Sequence, residues 1–130
     1  MLPVLKELRH QKKCPGKALL SQIGTGEGKS TIILIKAAIW ALAGERTVVV
    51  TSSSLLGIRD SVDWRKCFEM LGLTVSHNHH DDPGKLRKAY ESDIVYGALH
   101  DFQAHKVLDE FHDRVNVLTL FKFENLTNLK

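Results

Sequence analysis

A doubly wound α/β fold, a mostly parallel sheet with flanking helices, is what this chain predicts, on three observations. Short apolar or β-branched runs alternate with helical patterns from residue 18 to residue 111, as right-handed strand–helix–strand crossovers require. The run Thr47-Val48-Val49-Val50-Thr51 is too apolar for a strand wetted on one face and suits a buried parallel strand. A glycine-rich turn joins the short run Ala18–Ile23 to Thr31–Ala43, a helix apolar nearly all round and fit to lie against a sheet.

That turn, Gly24-Thr25-Gly26-Glu27-Gly28-Lys29-Ser30, organises the rest. Glycines at alternate positions let the backbone turn tightly and aim successive N–H groups into a concavity suited to phosphate oxygens. Lys29 is placed to reach the β- and γ-phosphates, and the Ser30 hydroxyl to bind Mg²⁺. The helix that follows adds its positive end. Context supports a P-loop, although the general pattern has glycine where this chain has Ile23.

The remaining elements follow in order. Leu2 to His10 has helical spacing, and Cys14-Pro15-Gly16 breaks it before the first strand. Gly44 stops the apolar helix. Ser52-Ser53-Ser54 offers N-cap hydroxyls to a helix from Leu55 to Leu71. Leu73-Thr74-Val75 resumes a strand, and Asp81-Asp82-Pro83-Gly84 turns into a short helix, Lys85 to Tyr90. Asp93–Gly97 is another buried strand, a helix spans Leu99 to Phe111, and Val115–Phe121 is a candidate last strand.

The His77–Asp82 stretch is rich in metal-binding residue types. Ligands packed so closely in an extended loop cannot all converge on one ion, so it reads as a surface loop. Cys14 and Cys67 have neither metal-ligand nor disulfide spacing, and Cys67 is expected to be buried.

Composition narrows the function classes. With 130 residues, 43% hydrophobic and 25% charged, the chain is one globular domain or part of one. Its net charge of +3 points to no particular polyanion. Neither a strong basic stripe nor stacking aromatics mark a nucleic-acid track. Residues 1–17 form a basic helix or arm, with Lys6, Arg9, Lys12, Lys13 and Lys17 against Glu7 alone. No secretory h-region is visible and the longest apolar run contains Lys36, so a cytoplasmic location is expected, with peripheral membrane contact an option. Without that secretory signal, Asn125-Leu126-Thr127 is a chance match to a glycosylation acceptor.

Four ordered segments resemble the nucleotide-binding domain of the SecA family, the ATPase motors of preprotein translocation. Thr25-Gly26-Glu27-Gly28-Lys29-Ser30 resembles the family's TGEGKT signature, where an aliphatic residue also replaces the first glycine, as Ile23 does here. The segment Thr51–Asp60 is similar to TxNDYLAxRD, keeping Thr51, Leu56, Arg59 and Asp60. Phe68–Val75 resembles FLGLTV, and Ala89–Gly97 resembles AYxxDITYG. The likeness covers residues 19–111 within a partial domain spanning 18–130.

The resemblance implies a RecA-like P-loop NTPase domain that binds ATP and Mg²⁺. Gly24, Thr25, Gly26, Glu27, Gly28, Lys29, Ser30 and Thr31 would form its nucleotide site, with Lys29 stabilising phosphate charge and Ser30 on the metal. Unfolded preprotein and an anionic membrane surface are the implied partners, and nucleic acid is not. Three departures stand out: Ala98 follows Tyr96-Gly97 where the family has threonine; neither Gln11 nor Gln22 sits in the family's glutamine motif; and Val115–Phe123 lacks acidic residues where an acidic DExD box is due. The formal DExH at Asp109-Glu110-Phe111-His112 falls in a helical pattern. Nucleotide binding with negligible turnover is therefore expected of a chain lacking that box and the second RecA-type lobe. The competing readings are a nucleic-acid helicase of the same superfamily and a non-catalytic interaction module that retains the fold.

Overall fold

The computed structural model describes residues 2–112, which fall into two compact units, one up to Lys36 and one from Ala37 onward. The expected strand Val115–Phe121, the DExD-equivalent stretch and the glycosylation-like triplet lie outside the described residues.

In the first unit, helix α1 (Leu2–Lys13) extends one turn beyond the expected His10. Its stop is local: the Cys14 N–H donates to the His10 carbonyl at 2.7 Å, and Gly16 takes φ +80°, a left-handed conformation that suits glycine. All five basic side chains of residues 1–17 are exposed, while Val4 is buried. Glu7 pairs with Lys36 of helix α2 (Lys29–Leu42), so α1 is tied rather than free. Such a partly exposed pair contributes about 0.2–1 kcal/mol.

The expected strand Ala18–Ile23 is not formed. A strand needs a ladder partner for its N–H and C=O groups, and these residues pair with none of the described strands. Leu20 is 97% exposed there. The apolar run is real, but its burial needs a neighbour that the sheet of the described residues does not supply.

The second unit holds β1 (Thr47–Thr51), α3 (Ser54–Asp63), α4 (Arg65–Met70), β2 (Val75–His77), α5 (Pro83–Tyr90), β3 (Ile94–Ala98) and α6 (Leu99–His112). The sheet has three parallel strands in the order β1-β3-β2. This is a small α/β arrangement, as expected. Every residue of β3 is buried, consistent with its central place and with its apolar sequence. By contrast, β1 is an edge strand of this sheet: Val49 is buried but Val50 is 47% exposed, so the all-round burial expected of that run is not complete.

Helix starts are set by caps. Ser53 accepts from the Leu56 N–H, and Asp82 accepts from the Gly84 N–H with Pro83 in the first turn. The single helix expected from Leu55 to Leu71 is interrupted at Trp64, whose φ and ψ are −95° and 0°. One turn earlier the buried Ser61 hydroxyl donates to the Ile58 carbonyl at 2.8 Å, competing with the helical ladder and favouring a bend. Beyond the break Phe68 is fully buried. Cys67, expected inside, is exposed, because the turn of α4 that buries Phe68 leaves its neighbour outward.

The core centres on Tyr90, Val95 and Phe102, with Val48 and Leu86 packed against them. Tyr90 and Phe102 meet edge to face at 6.2 Å between centroids. A polar thread crosses this apolar centre: the Asn78 amide donates to the Tyr90 hydroxyl at 3.3 Å, and that hydroxyl lies 2.8 Å from His105 Nδ1. Asn78 is completely buried and His77 ends β2, so the expected surface loop begins later, with His79, Asp81 and Asp82 exposed.

At the opposite, amino end of the sheet, Asp93 Oδ2 accepts from the Thr74 N–H at 2.8 Å and from the Thr74 hydroxyl at 2.7 Å. The Asp93 N–H donates to Thr74 Oγ1 at 2.9 Å. This reciprocal pair locks the starts of β2 and β3, and its hydrogen bonds hold the Asp93 carboxyl below its usual range. A carboxylate whose folded pKa is depressed stabilises the fold above its unfolded pKa, and loses that contribution as pH falls through the folded one. Asp93→Asn is expected to cost about 1–2 kcal/mol at pH 7, reduced by solvent exposure. Urea denaturation should show the wild-type advantage shrinking below pH 4 or so; an advantage constant with pH would exclude the carboxylate as its source.

Candidate functional site

Within the first unit, the predicted loop has the geometry its glycines suggest. Gly26 and Gly28 have φ of +83° and +75°, conformations that side-chain-bearing residues rarely adopt. The Glu27 N–H donates to the Gly24 carbonyl at 3.3 Å, closing the turn. The Glu27 carboxylate folds back over Gly24, where an added Cβ would lie 3.1 Å from Oε1.

Helix α2 begins at Lys29, and its first i to i−4 bond runs from the Ile32 N–H to the Gly28 carbonyl at 3.1 Å. The N–H groups of Lys29, Ser30 and Thr31 therefore lack intrahelical acceptors, as in any first turn. The structure places Gly24, Thr25, Gly26, Glu27, Gly28, Lys29, Ser30 and Thr31 on one continuous turn and helix start, nearly all of it exposed. The turn offers an anion backbone donors and the positive end of the helix dipole. The hydroxyl expected to meet Mg²⁺, that of Ser30, lies in the first turn of α2 and offers a single neutral oxygen. That fits an ion that keeps most of its shell as water and phosphate oxygens.

The second unit presents a separate polar cluster, at the carboxyl ends of its strands. Thr51 Oγ1 is 2.8 Å from the Ser53 carbonyl and 3.1 Å from that of Gly97, bracing the exits of β1 and β3. Gly57 of α3 packs here against bare backbone: a Cβ on it would come within 3.2 Å of Gly97 Cα and of Thr51 Oγ1.

Further out, Ser54 donates to Asp101 Oδ2 at 2.6 Å. His100 Nε2 lies 3.2 Å from Asp101 Oδ1, and His79 Nδ1 lies 3.7 Å from Oδ2. Asp101 thus collects one side chain following each strand, in the first turn of α6, where a carboxylate is favoured. Sequence reading missed this cluster, because its members are distant in the chain and only the sheet order gathers them.

Nearby groups respond to burial. Tyr96 is pushed up to about 12 by desolvation, with the Asp60 charge adding to it, and its buried hydroxyl has no hydrogen-bond partner among the described residues. The His77 imidazole is held below its ordinary range, first by desolvation and then by His80, His79 and Arg65. His77 and His80 stack at 4.4 Å. Among the described residues no group of three His, Cys, Asp or Glu is arranged to hold a metal ion. Asp109 and Glu110 of the formal DExH lie within α6, as expected from the helical pattern.

A parallel sheet with helices packed around it and a glycine turn opening a helix define a small α/β domain of DEAD-like type. The model of the SecA DEAD-like domain matches residues 16–124, and the chain belongs to that family. Among curated relatives, the protein translocase subunit SecA of Acidobacterium capsulatum is 39% identical over 84 residues, 64% of this chain. Its counterpart in Koribacter versatilis is 37% identical over 84 residues, likewise 64% of this chain. The chain spans 8% of the length of each of these relatives. Among the described residues no helix is long and apolar enough to cross a membrane.

Proposed function

We propose that this chain is the ATP-binding part of a SecA-like protein-translocation motor, built as a RecA-like P-loop NTPase domain over residues 18–130 with a basic arm at residues 1–17. The observation that carries the reading is the loop from Gly24 to Thr31, with left-handed Gly26 and Gly28 leading directly into the first turn of α2. Backbone N–H groups of that turn would hold the β- and γ-phosphates, and Lys29 would neutralise charge on their oxygens. Ser30 Oγ would be the protein ligand to Mg²⁺, which when bound neutralises and orients the phosphates. Every role assigned to these residues is one of binding and charge neutralisation. No described side chain is assigned to orient an attacking water, since Asp109 and Glu110 sit on α6, so hydrolysis by this chain alone is expected to be negligible. Cytoplasmic residence, with attraction of the exposed N-terminal cations to anionic lipid of at most about 1 kcal/mol per charge, completes the reading.

The test is titration calorimetry with Mg·ATP and Mg·ADP, followed by hydrolysis assays in a longer chain that includes the second lobe. Saturable nucleotide binding is expected from the 130-residue chain. In the longer chain, turnover should rise with unfolded polypeptide or anionic vesicles more than with single-stranded RNA. Absence of nucleotide binding would remove the assignment, and stimulation by RNA alone would replace translocation with a helicase role.

A further inference from the structure

Among the described residues the sheet ends at β2, and the parity of its hydrogen bonds shows which backbone groups point away from β3. The Ile94 N–H donates to the Thr74 carbonyl at 3.0 Å, and the Asn78 N–H to the Tyr96 carbonyl at 3.0 Å. With Val75 opposite Ile94 and His77 opposite Tyr96, the even-numbered residues of this segment turn their polar groups toward β3. In a parallel ladder the alternate residues, Val75 and His77, then direct N–H and C=O away from the sheet. No further strand among the described residues pairs with them.

Beside this edge lies a cleft of about 400 Å³, lined by Arg65 and Glu69 of α4, Val75 and Ser76 of β2, and Lys85 and Lys88 of α5. Arg65, Lys85 and Lys88 are exposed, and none of them forms an ion pair among the described residues. Three cations face one carboxylate, so the cleft is electropositive overall, with the excess on its α5 wall, because Arg65 and Glu69 share the α4 wall.

We propose that the open edge of β2 and the cationic cleft beside it form a docking site for an extended acidic peptide, which adds to the sheet as a fourth strand. The spare N–H and C=O groups of Val75 and His77 alternate donor and acceptor at the spacing of a peptide backbone. A phosphodiester chain offers acceptors only and would leave the two carbonyls unmatched. A second copy pairing β2 against β2 would bring identical cationic walls together and is opposed by charge. Side chains of an added strand alternate between the two walls, so carboxylates at every second position meet Lys85 and Lys88 on the α5 wall. Backbone pairing supplies the orientation, and the cations select for acidic sequences. The proposal is independent of the nucleotide site, whose residues take no part.

The test is fluorescence anisotropy of the full chain with a labelled, end-capped peptide of alternating Glu and Val. Saturable binding is expected that weakens with salt. It should fall about tenfold or more in the Lys85→Glu, Lys88→Glu double variant, consistent with loss and reversal of paired charge, with circular dichroism unchanged. Methylating every backbone nitrogen of the peptide preserves every charge and should abolish binding, because it removes the pairing donors on both edges of the strand. Binding that survives N-methylation, or that is equalled by single-stranded RNA of similar charge, would overturn strand addition. Failure of the Glu-Val peptide to bind at low salt, or equal binding of the matching Lys-Val peptide, would overturn the acidic specificity.

Discussion

Gly97→Ala should destabilise the second unit by about 3 kcal/mol or more, the upper range for overpacking combined with a broken buried polar contact. A Cβ at Gly97 would lie 2.0 Å from Asn78 Oδ1 and 2.4 Å from its Cγ. The obstacle is not a flexible side-chain tip, because Asn78 is fully buried and donates to the Tyr90 hydroxyl. Moving its carboxamide aside would detach Tyr90 from the thread that reaches His105. The opposite approach is also closed, since Gly57 of α3 packs on Gly97 backbone. Urea denaturation followed by circular dichroism measures the loss. Asn78→Ala should relieve the overlap, so the double variant is expected to be more stable than the sum of the two single losses predicts. A Gly97→Ala protein within about 0.5 kcal/mol of wild type, an ordinary surface-substitution effect, would refute this packing.

Lys29→Ala is expected to weaken Mg·ATP binding by about 1–3 kcal/mol, the worth of a charge-assisted contact, or roughly five- to 150-fold. The ammonium sits on the first residue of α2, directly after the left-handed Gly28, so its removal should leave the loop fold intact. Ser30→Ala should act differently, lowering affinity in Mg²⁺ and leaving the metal-free affinity nearly unchanged, because its hydroxyl is assigned to the ion. Calorimetry with and without Mg²⁺ separates the two roles. Equal affinities for wild type and Lys29→Ala would show that phosphate does not lie on this loop.

Local rules made much of the structure legible. Helix caps at Ser53 and Asp82, the β-branched run of β1 and the glycine turn each depend on neighbours in sequence, and each was readable there. The family resemblance, drawn from four ordered segments, agrees with the matched family model. What escaped depends on contacts between distant positions. Residues 18–23 read as a strand from composition, yet a strand exists only where a partner supplies its ladder. Val50 is apolar but half exposed because β1 lies at an edge of the described sheet, a property of strand order rather than of the run itself. Asn78 has the composition of a loop residue and the burial of a core one, and its amide nitrogen finds the Tyr90 hydroxyl twelve positions on. Asp101 gathers Ser54, His79 and His100 only once three strand exits are side by side.

The order of strands also bears on how the chain becomes structured during synthesis. Among the described residues both β1 and β2 pair with β3 alone, and β3 is the last of the three in sequence. Until Ile94–Ala98 has left the ribosome, neither earlier strand has its native partner, and their spare backbone groups and apolar faces remain open. A long-range parallel sheet of this kind closes slowly, because chain entropy is lost before the pairing that offsets it. The nascent chain therefore passes through a window in which Val48 to Val50 and the β2 segment are available to other chains, and a holding chaperone has most to protect in that interval.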